Sequence, residues 1–301
     1  HEGTFLQIGS VLRALNKPAK EVARTYREAL DHTQTTPDLL CQLGLCYLRQ
    51  NEHQRAFEFL GNALTHDPKH FDAILGAGSI IQENGDYDVA LHKYRVAVAQ
   101  KPKCPELWSN IGLALLGKRK LQAAVSALEK ANDEAPLEWI VHYNLAVAYL
   151  NHNLYVRAFH YFQSTSRFQD TFAPAFLYMA VCQALLHDPA NAKKHFDMAL
   201  DKIRASKDHH AKDIPLTIAA HLNYALFLYN EKNFNDARAQ YRAMDALLKT
   251  CQKKKDLLGL LDPEILERAA ELEKRLRLDE EAKPSSSGDA APAKTDERPT
   301  S

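Results

Sequence analysis

The chain has 301 residues, with 38 Lys and Arg against 38 Asp and Glu, and so a formal net charge of zero. That balance excludes a broad positive field for nucleic acid or anionic membrane, and no apolar run approaches the ~18 residues of a membrane-spanning helix. Five cysteines, an odd number with no Cys-x-x-Cys, fit a reduced intracellular protein better than a disulfide framework.

No secretory signal is visible, and the chain starts at His1 and not at Met, which leaves room for a missing native N-terminus. A chain this long is large for one compact core. An array of repeats escapes that limit, because each unit contacts only its neighbours.

Taken in order, the chain reads as successive helix pairs with a period of 34 residues. The first copy, 3–36, is the least regular, with Pro18 near the turn or at the opening of the second helix. Copies follow at 37–70, 71–104, 105–138, 139–172 and 173–206, with Asn84-Gly85-Asp86 marking one turn. The segment 105–138 is the clearest. Leu107, Trp108, Ile111 and Leu115 form one apolar stripe, and Leu121, Ala124, Val125, Leu128 and Ala131 form another. Gly117 and the run Lys118-Arg119-Lys120 stand where that copy must turn.

Residues 207–217 break the period and read as a polar surface loop, after which a last copy runs 218–251. A capping helix is expected over 262–280, with Asp262 as N-cap, Pro263 at the first position and a stripe of Ile265, Leu266, Ala269, Leu272 and Leu276. The stretch 281–301 lacks large apolar residues and is expected to be a disordered tail.

Four columns keep the period. A small residue recurs as Ser10, Gly44, Gly78, Gly112, Ala146 and Ala180 in the first helices. Val22, Ala56, Ala90, Ala124, Ala158 and Ala192 recur in the second helices. A large residue follows as Tyr26, Leu60, Tyr94, Leu128, Phe162 and Phe196, and then Ala29, Ala63, Ala97, Ala131, Thr165 and Ala199. The series resume at Ala225, Ala237, Tyr241 and Met244. Small side chains at the crossings let paired helices approach, and the large column is expected to fill space toward the next pair.

Chemistry is sparse. Fourteen histidines include no His-Glu-x-x-His, and Asp67-Pro68 separates His66 from His70. No nucleophile elbow or phosphate-binding glycine loop occurs. No catalytic, cofactor or metal residue is therefore assigned. The basic runs at 118–120 and 253–255 read as solvated turn and helix end, or as a grip for an acidic partner. Asp38, Asp72 and Glu106, one period apart, read as dipole complements in first helical turns, or as an acidic line along a groove.

A 34-residue period with these columns resembles the tetratricopeptide repeat family. The resemblance implies an all-α fold: a right-handed α-solenoid of about seven helix pairs, closed by the capping helix, with first helices lining a concave face. It also implies that the fifth, sixth, ninth and twelfth positions of each copy face a groove. The candidate partner-binding residues are Asn110, Leu113, Leu116, Tyr143, Asn144, Val147, Leu150, Leu177, Val181, Asn223 and Leu226. Their apolar character marks a partner surface, or core buried by superhelical curvature. The asparagines are suited to hold a bound backbone. Relatives that clamp a C-terminal carboxylate carry Lys at the fifth position and Asn at the ninth, which this chain lacks.

Stretches such as AILGAGSIIQENGDYDVALHKYRVAV (73–98), PELWSNIGLALLGKRKLQAAVSALEKAN (105–132) and LNYALFLYNEKNFNDARAQYRAM (222–244) resemble the Bardet–Biedl syndrome proteins, subunits of the BBSome. That resemblance implies a non-enzymatic scaffold in a coat that carries membrane proteins to and from cilia. The implied partners are other BBSome subunits, with centriolar-satellite or dynein–dynactin components as an alternative. The implied places are cytoplasm, cilium, basal body and centrosome. Such proteins carry further repeats upstream, so a C-terminal portion is expected. The repeat arm of a protein-modifying enzyme is a second alternative, which would need a catalytic domain after the last repeat.

Overall fold

The computed structural model describes residues 2–32, 35–205, 214–252 and 263–281. Every described element is an α-helix, and the chain divides into two compact units, His1–Leu186 and His187–Ser301.

The first unit holds α1 (Glu2–Ala14), α2 (Ala19–His32), α3 (Pro37–Arg49), α4 (His53–His66), α5 (Phe71–Glu83), α6 (Tyr87–Gln100), α7 (Pro105–Gly117), α8 (Leu121–Glu134), α9 (Trp139–Asn151), α10 (Tyr155–Phe168) and α11 (Ala173–Leu185). From α3 onward, first helices start at 37, 71, 105, 139 and 173, keeping the 34-residue period in space as well as in sequence. Pro at the opening of α3 and α7 suits a position whose N–H has no helical partner. Each helix packs on the next, and α3 also meets α5, α5 meets α7 and α7 meets α9. First helices therefore adjoin one another along one face of this unit.

The repeated columns form its core. Val22, Ala56, Ala90, Ala124 and Ala158 are buried, as are Tyr26, Leu60, Tyr94, Leu128 and Phe162. The large column does more than fill space toward the next pair. A methyl group at Gly44 would sit 2.7 Å from Leu60 Cγ, and one at Gly76, in the next first helix, 3.0 Å from Leu60 Cδ1. Leu60 thus wedges between its own pair and the following one. Burying such a side chain contributes ~1.5–3 kcal/mol.

The first copy departs from the expected register. Ser10 is exposed, and Gly9 is buried against Tyr26 instead. One extra residue in the Leu15–Pro18 connection shifts α1 by one position relative to α2, and Pro18 lies just before α2.

The turn residue also recurs. Asn16, Asn51, Gly85, Arg119, Asn153, His187 and Lys232 all have positive φ, between 52° and 88°. Asn and Gly tolerate this left-handed region, whereas Arg119, at φ 58°, carries strain. Arg119, and not Gly117, is the residue that reverses the chain after α7.

The second unit holds α12 (Pro189–Ala205), α13 (Ile214–Asn230), α14 (Phe234–Gln252) and α15 (Pro263–Glu281). Phe196 stacks on Tyr224 with ring centroids 4.8 Å apart, and the Tyr224 hydroxyl donates to Asp197 at 3.0 Å. The expected loop at 207–217 is only partly open to description. Residues 206–213 lie outside the described residues, and 214–217 already belong to α13, whose second residue is Pro215. In α15, Ala269, Leu272 and Leu276 are buried, whereas Leu266 of the expected stripe is 36% exposed. The expected N-cap Asp262, the basic run at 253–255 and the tail from 282 lie outside the described residues.

Candidate functional site

Between α7 and α9 the adjoining first helices leave an open cleft of about 490 Å³. Its floor is apolar, with Leu113 from α7 and Ile140 and Val141 from α9. Asn110 and Asn144 stand in it, and Glu106 and Glu138 mark its acidic rim. The positions follow from helical geometry: 106, 109, 110 and 113 lie at i, i+3, i+4 and i+7 on α7 and so share one face.

Asn144 Nδ2 donates to the buried Ser109 hydroxyl at 2.9 Å, tying α9 to α7. That bond orients the amide and uses one of its donors, leaving the carbonyl oxygen without a protein partner among the described residues. Asn110 has no side-chain partner among the described residues. Two amides with spare capacity above an apolar floor can bind the backbone of an extended segment while the floor takes its side chains. Glu106 accepts from the Cys104 thiol at 3.0 Å, and burial together with that bond holds the thiol above its ordinary range. Of the acidic line, Asp38 is bound to His70 Nε2 at 2.9 Å.

The other expected site residues divide. Leu116, Tyr143, Val147 and Leu150 are half-buried and pack against the core around Leu145, Phe162 and Met179. Tyr143 belongs to an aromatic cluster: its ring lies 5.1 Å from Phe172, 5.8 Å from Phe162 and 6.2 Å from Tyr178. Its hydroxyl is hydrogen-bonded to that of Tyr178, and burial pushes both phenols up. Leu177 is a correction. It is 2% exposed and offers no surface to a partner, because its helix face points into the core. Val181 is half-buried in α11.

Asn223 is the second correction. Its Nδ2 donates to the Ala219 carbonyl at 2.8 Å, and its Oδ1 accepts from Arg268 of α15 at 3.3 Å. Both ends of the amide are committed inside the second unit, so it has little left for a bound chain. Leu226, nearby on α13, is half-buried. The sequence reading missed Ser109, Ile140, Val141 and Glu138. Ile140 was findable as an apolar residue at the second position of its copy, where the three preceding copies carry Asp38, Asp72 and Glu106.

Models of the tetratricopeptide repeat match residues 37–70 and, in two overlapping placements, 75–136 and 110–169. "BBSome complex member BBS4" of Bos taurus is 37% identical over 280 residues, which is 93% of this chain and 51% of that protein. The protein of the same description from Mus musculus is 36% identical, with the same shares covered. The chain belongs to the tetratricopeptide repeat family, as a relative of BBS4. It spans about half the length of these BBS4 relatives. Among solved structures, PilW, a type IV pilus biogenesis factor, superposes with a TM-score of 0.62 at 20% identity, over 74% of this chain and 98% of that one. That likeness carries the tetratricopeptide-repeat fold alone. The repeat matches and this likeness together make the fold an all-α solenoid of tetratricopeptide repeats.

Among the described residues no helix is long and apolar enough to cross a membrane. No group of three or more His, Cys, Asp or Glu among them is placed to hold a metal ion. Cys41 and Cys182 are buried, and burial pushes each thiol up to about 12, so neither is a nucleophile near neutrality.

Proposed function

We propose that this chain is a non-enzymatic interaction scaffold of a BBSome-type coat that traffics membrane proteins to and from cilia. The α7/α9 cleft binds an extended or helical segment of a partner subunit. The observation that carries this reading is the pairing of two amides with spare hydrogen-bonding capacity, Asn110 and Asn144, with the apolar floor of Leu113, Ile140 and Val141. The curated BBS4 relatives are described as BBSome complex members, which supplies the class of partner. The rim carboxylates Glu106 and Glu138 favour a segment with an apolar anchor beside Lys or Arg. Work outside the coat, at centriolar satellites or with dynein–dynactin, would use the same cleft. Cilium, basal body and centrosome are its places of action.

The test is co-expression with the other BBSome subunits and capture of the assembly. Leu113→Glu and Ile140→Glu put further carboxylates on the floor. Ile140 is 47% exposed, so its replacement leaves the fold intact. Loss of capture with unchanged helical content supports the cleft. Full capture by both variants overturns it.

A further inference from the structure

A second cleft lies on the opposite side of α7, between α6 and α7, with a volume of about 510 Å³. Its floor includes Leu91, Trp108, Ile111 and Leu115, and its rim carries His92, Arg95, Lys118 and Lys120. At about 100° per residue, Trp108, Ile111 and Leu115 centre about 180° around α7 from Ser109, Asn110 and Leu113, so the two clefts open on opposite faces of α7 and share no lining residue.

We propose that the α6/α7 cleft is a docking site for an acidic amphipathic segment of a partner protein, with carboxylates on the rim and an apolar side chain on the floor. The charge balance selects this occupant. Asp88 is the one acidic residue lining the cleft, and it is already bound to Lys118, which lowers its carboxyl pKa. Arg95 and Lys120 are both exposed; Arg95 has no salt-bridge partner among the described residues, and Lys120 forms no salt bridge among them and acts on Asp88 through its charge alone. This excess of positive charge is local, since the whole chain is neutral. Trp108 is held in place by its indole N–H donating to the Pro102 carbonyl at 2.7 Å, and Lys130 lies 4.4 Å from its ring centroid. A fixed aromatic beside exposed cations is the composition of a binding anchor.

The basic cleft is also not a by-product of the repeat. Two copies earlier, a cleft of about 230 Å³ has Arg27 in the place of Arg95, Arg24 in that of His92 and Tyr47 in that of Leu115. There, Arg27 and Arg55 each approach the Tyr47 ring to 5.8 Å. The copy between them has Gly61 and Glu58 at the same register. The basic character therefore belongs to these two copies and not to the repeat as such. A recessed apolar floor between two helices fits a side chain better than a flat anionic membrane, which would meet only the rim.

The chain contains two tryptophans, Trp108 and Trp139, so Trp139→Phe makes Trp108 emission a reporter of this cleft. The probe is a short acetylated peptide of Glu-Asp-Leu-Phe units. Its counterpart carries Gln and Asn in place of the acids. Phosphatidylserine vesicles form a separate arm. Anisotropy of the fluorescein-labelled peptide against the unsubstituted chain repeats the measurement without the tryptophan change.

The acidic peptide should shift Trp108 emission saturably, and the counterpart should bind more weakly. Arg95→Glu with Lys120→Glu should weaken binding at least about tenfold while helical content stays unchanged. Absence of saturable binding overturns the proposal, as does equal affinity in the charge-reversed variant. Vesicle binding without peptide binding overturns it in favour of a lipid surface.

Discussion

Gly112 of α7 lies so close to Leu128 of α8 that a methyl group at position 112 would stand 2.5 Å from Leu128 Cγ. The contact sets how near the two helices run. Gly112→Ala is expected to destabilise the chain by ~1–3 kcal/mol, because Leu128 is fully buried and has nowhere to move. Gly61, in α4, has nothing within 4 Å of such a methyl group. Gly61→Ala should stabilise by ~0.5–1 kcal/mol through helix propensity alone. Urea denaturation of both variants checks the opposite signs.

Arg119 is exposed and held at φ 58° by the turn between α7 and α8. Its amide donates to the Leu116 carbonyl at 2.9 Å, a bond that any residue keeps. Arg119→Gly relieves a left-handed conformation costing ~1–2 kcal/mol, part of which returns as glycine entropy. A net gain of ~0.5–1 kcal/mol in thermal or urea unfolding is expected. Loss of stability would mean that the Arg119 side chain makes a contact worth more than the strain.

His142 and His221 are 6% and 8% exposed, and burial is the main cause lowering each pKa from 6.5. His142 Nδ1 lies 3.0 Å from Ser164 Oγ, and His221 Nδ1 2.7 Å from Gln240 Oε1. Near His142, Glu138 acts against the lowering; near His221, Arg204 adds to it. With folded values below the unfolded one, the unfolded chain binds protons first. Stability is therefore full above ~6.5 and falls as pH drops below it. Urea midpoints across this range should decline on acidification, and His142→Gln with His221→Gln should flatten that decline.

In the second unit α15 lies on α13 and α14. Leu272 is fully buried, Arg268 reaches Asn223, and an Arg238 guanidinium donates to the Leu276 carbonyl at 3.3 Å. Leu272→Ala should cost ~2–5 kcal/mol of docking free energy. Arg268→Ala, at an exposed contact, should cost under about 1 kcal/mol. Hydrogen exchange of the 263–281 amides reads both: fast exchange in the first variant, near-normal protection in the second.

The spacing of residues in the chain determined the repeat, the helix pairs and the buried columns. Period 34 brings Gly112, Ala124 and Leu128 to the same faces in every regular copy, and a helix of 3.6 residues per turn leaves those faces little choice. Gly85 declared its turn because glycine readily adopts positive φ; the turn at 117–120 was legible too, but not that Arg119 is the residue in it that takes positive φ. The first copy misled by one position because one extra turn residue shifts a whole helix, and Ser10 passed for the small residue that is in fact Gly9. Exposure was the part that spacing does not carry. Leu113 and Leu177 sit at groove positions of their copies, yet one borders an open cleft and the other is 2% exposed. Asn144 and Asn223 occupy the same sixth position, yet one bonds Ser109 of the preceding first helix and the other accepts from Arg268, 45 residues further along the chain. A periodicity sets which way a side chain points from its own helix. Which distant helix covers it is a matter of tertiary packing, and only the folded chain brings those neighbours together.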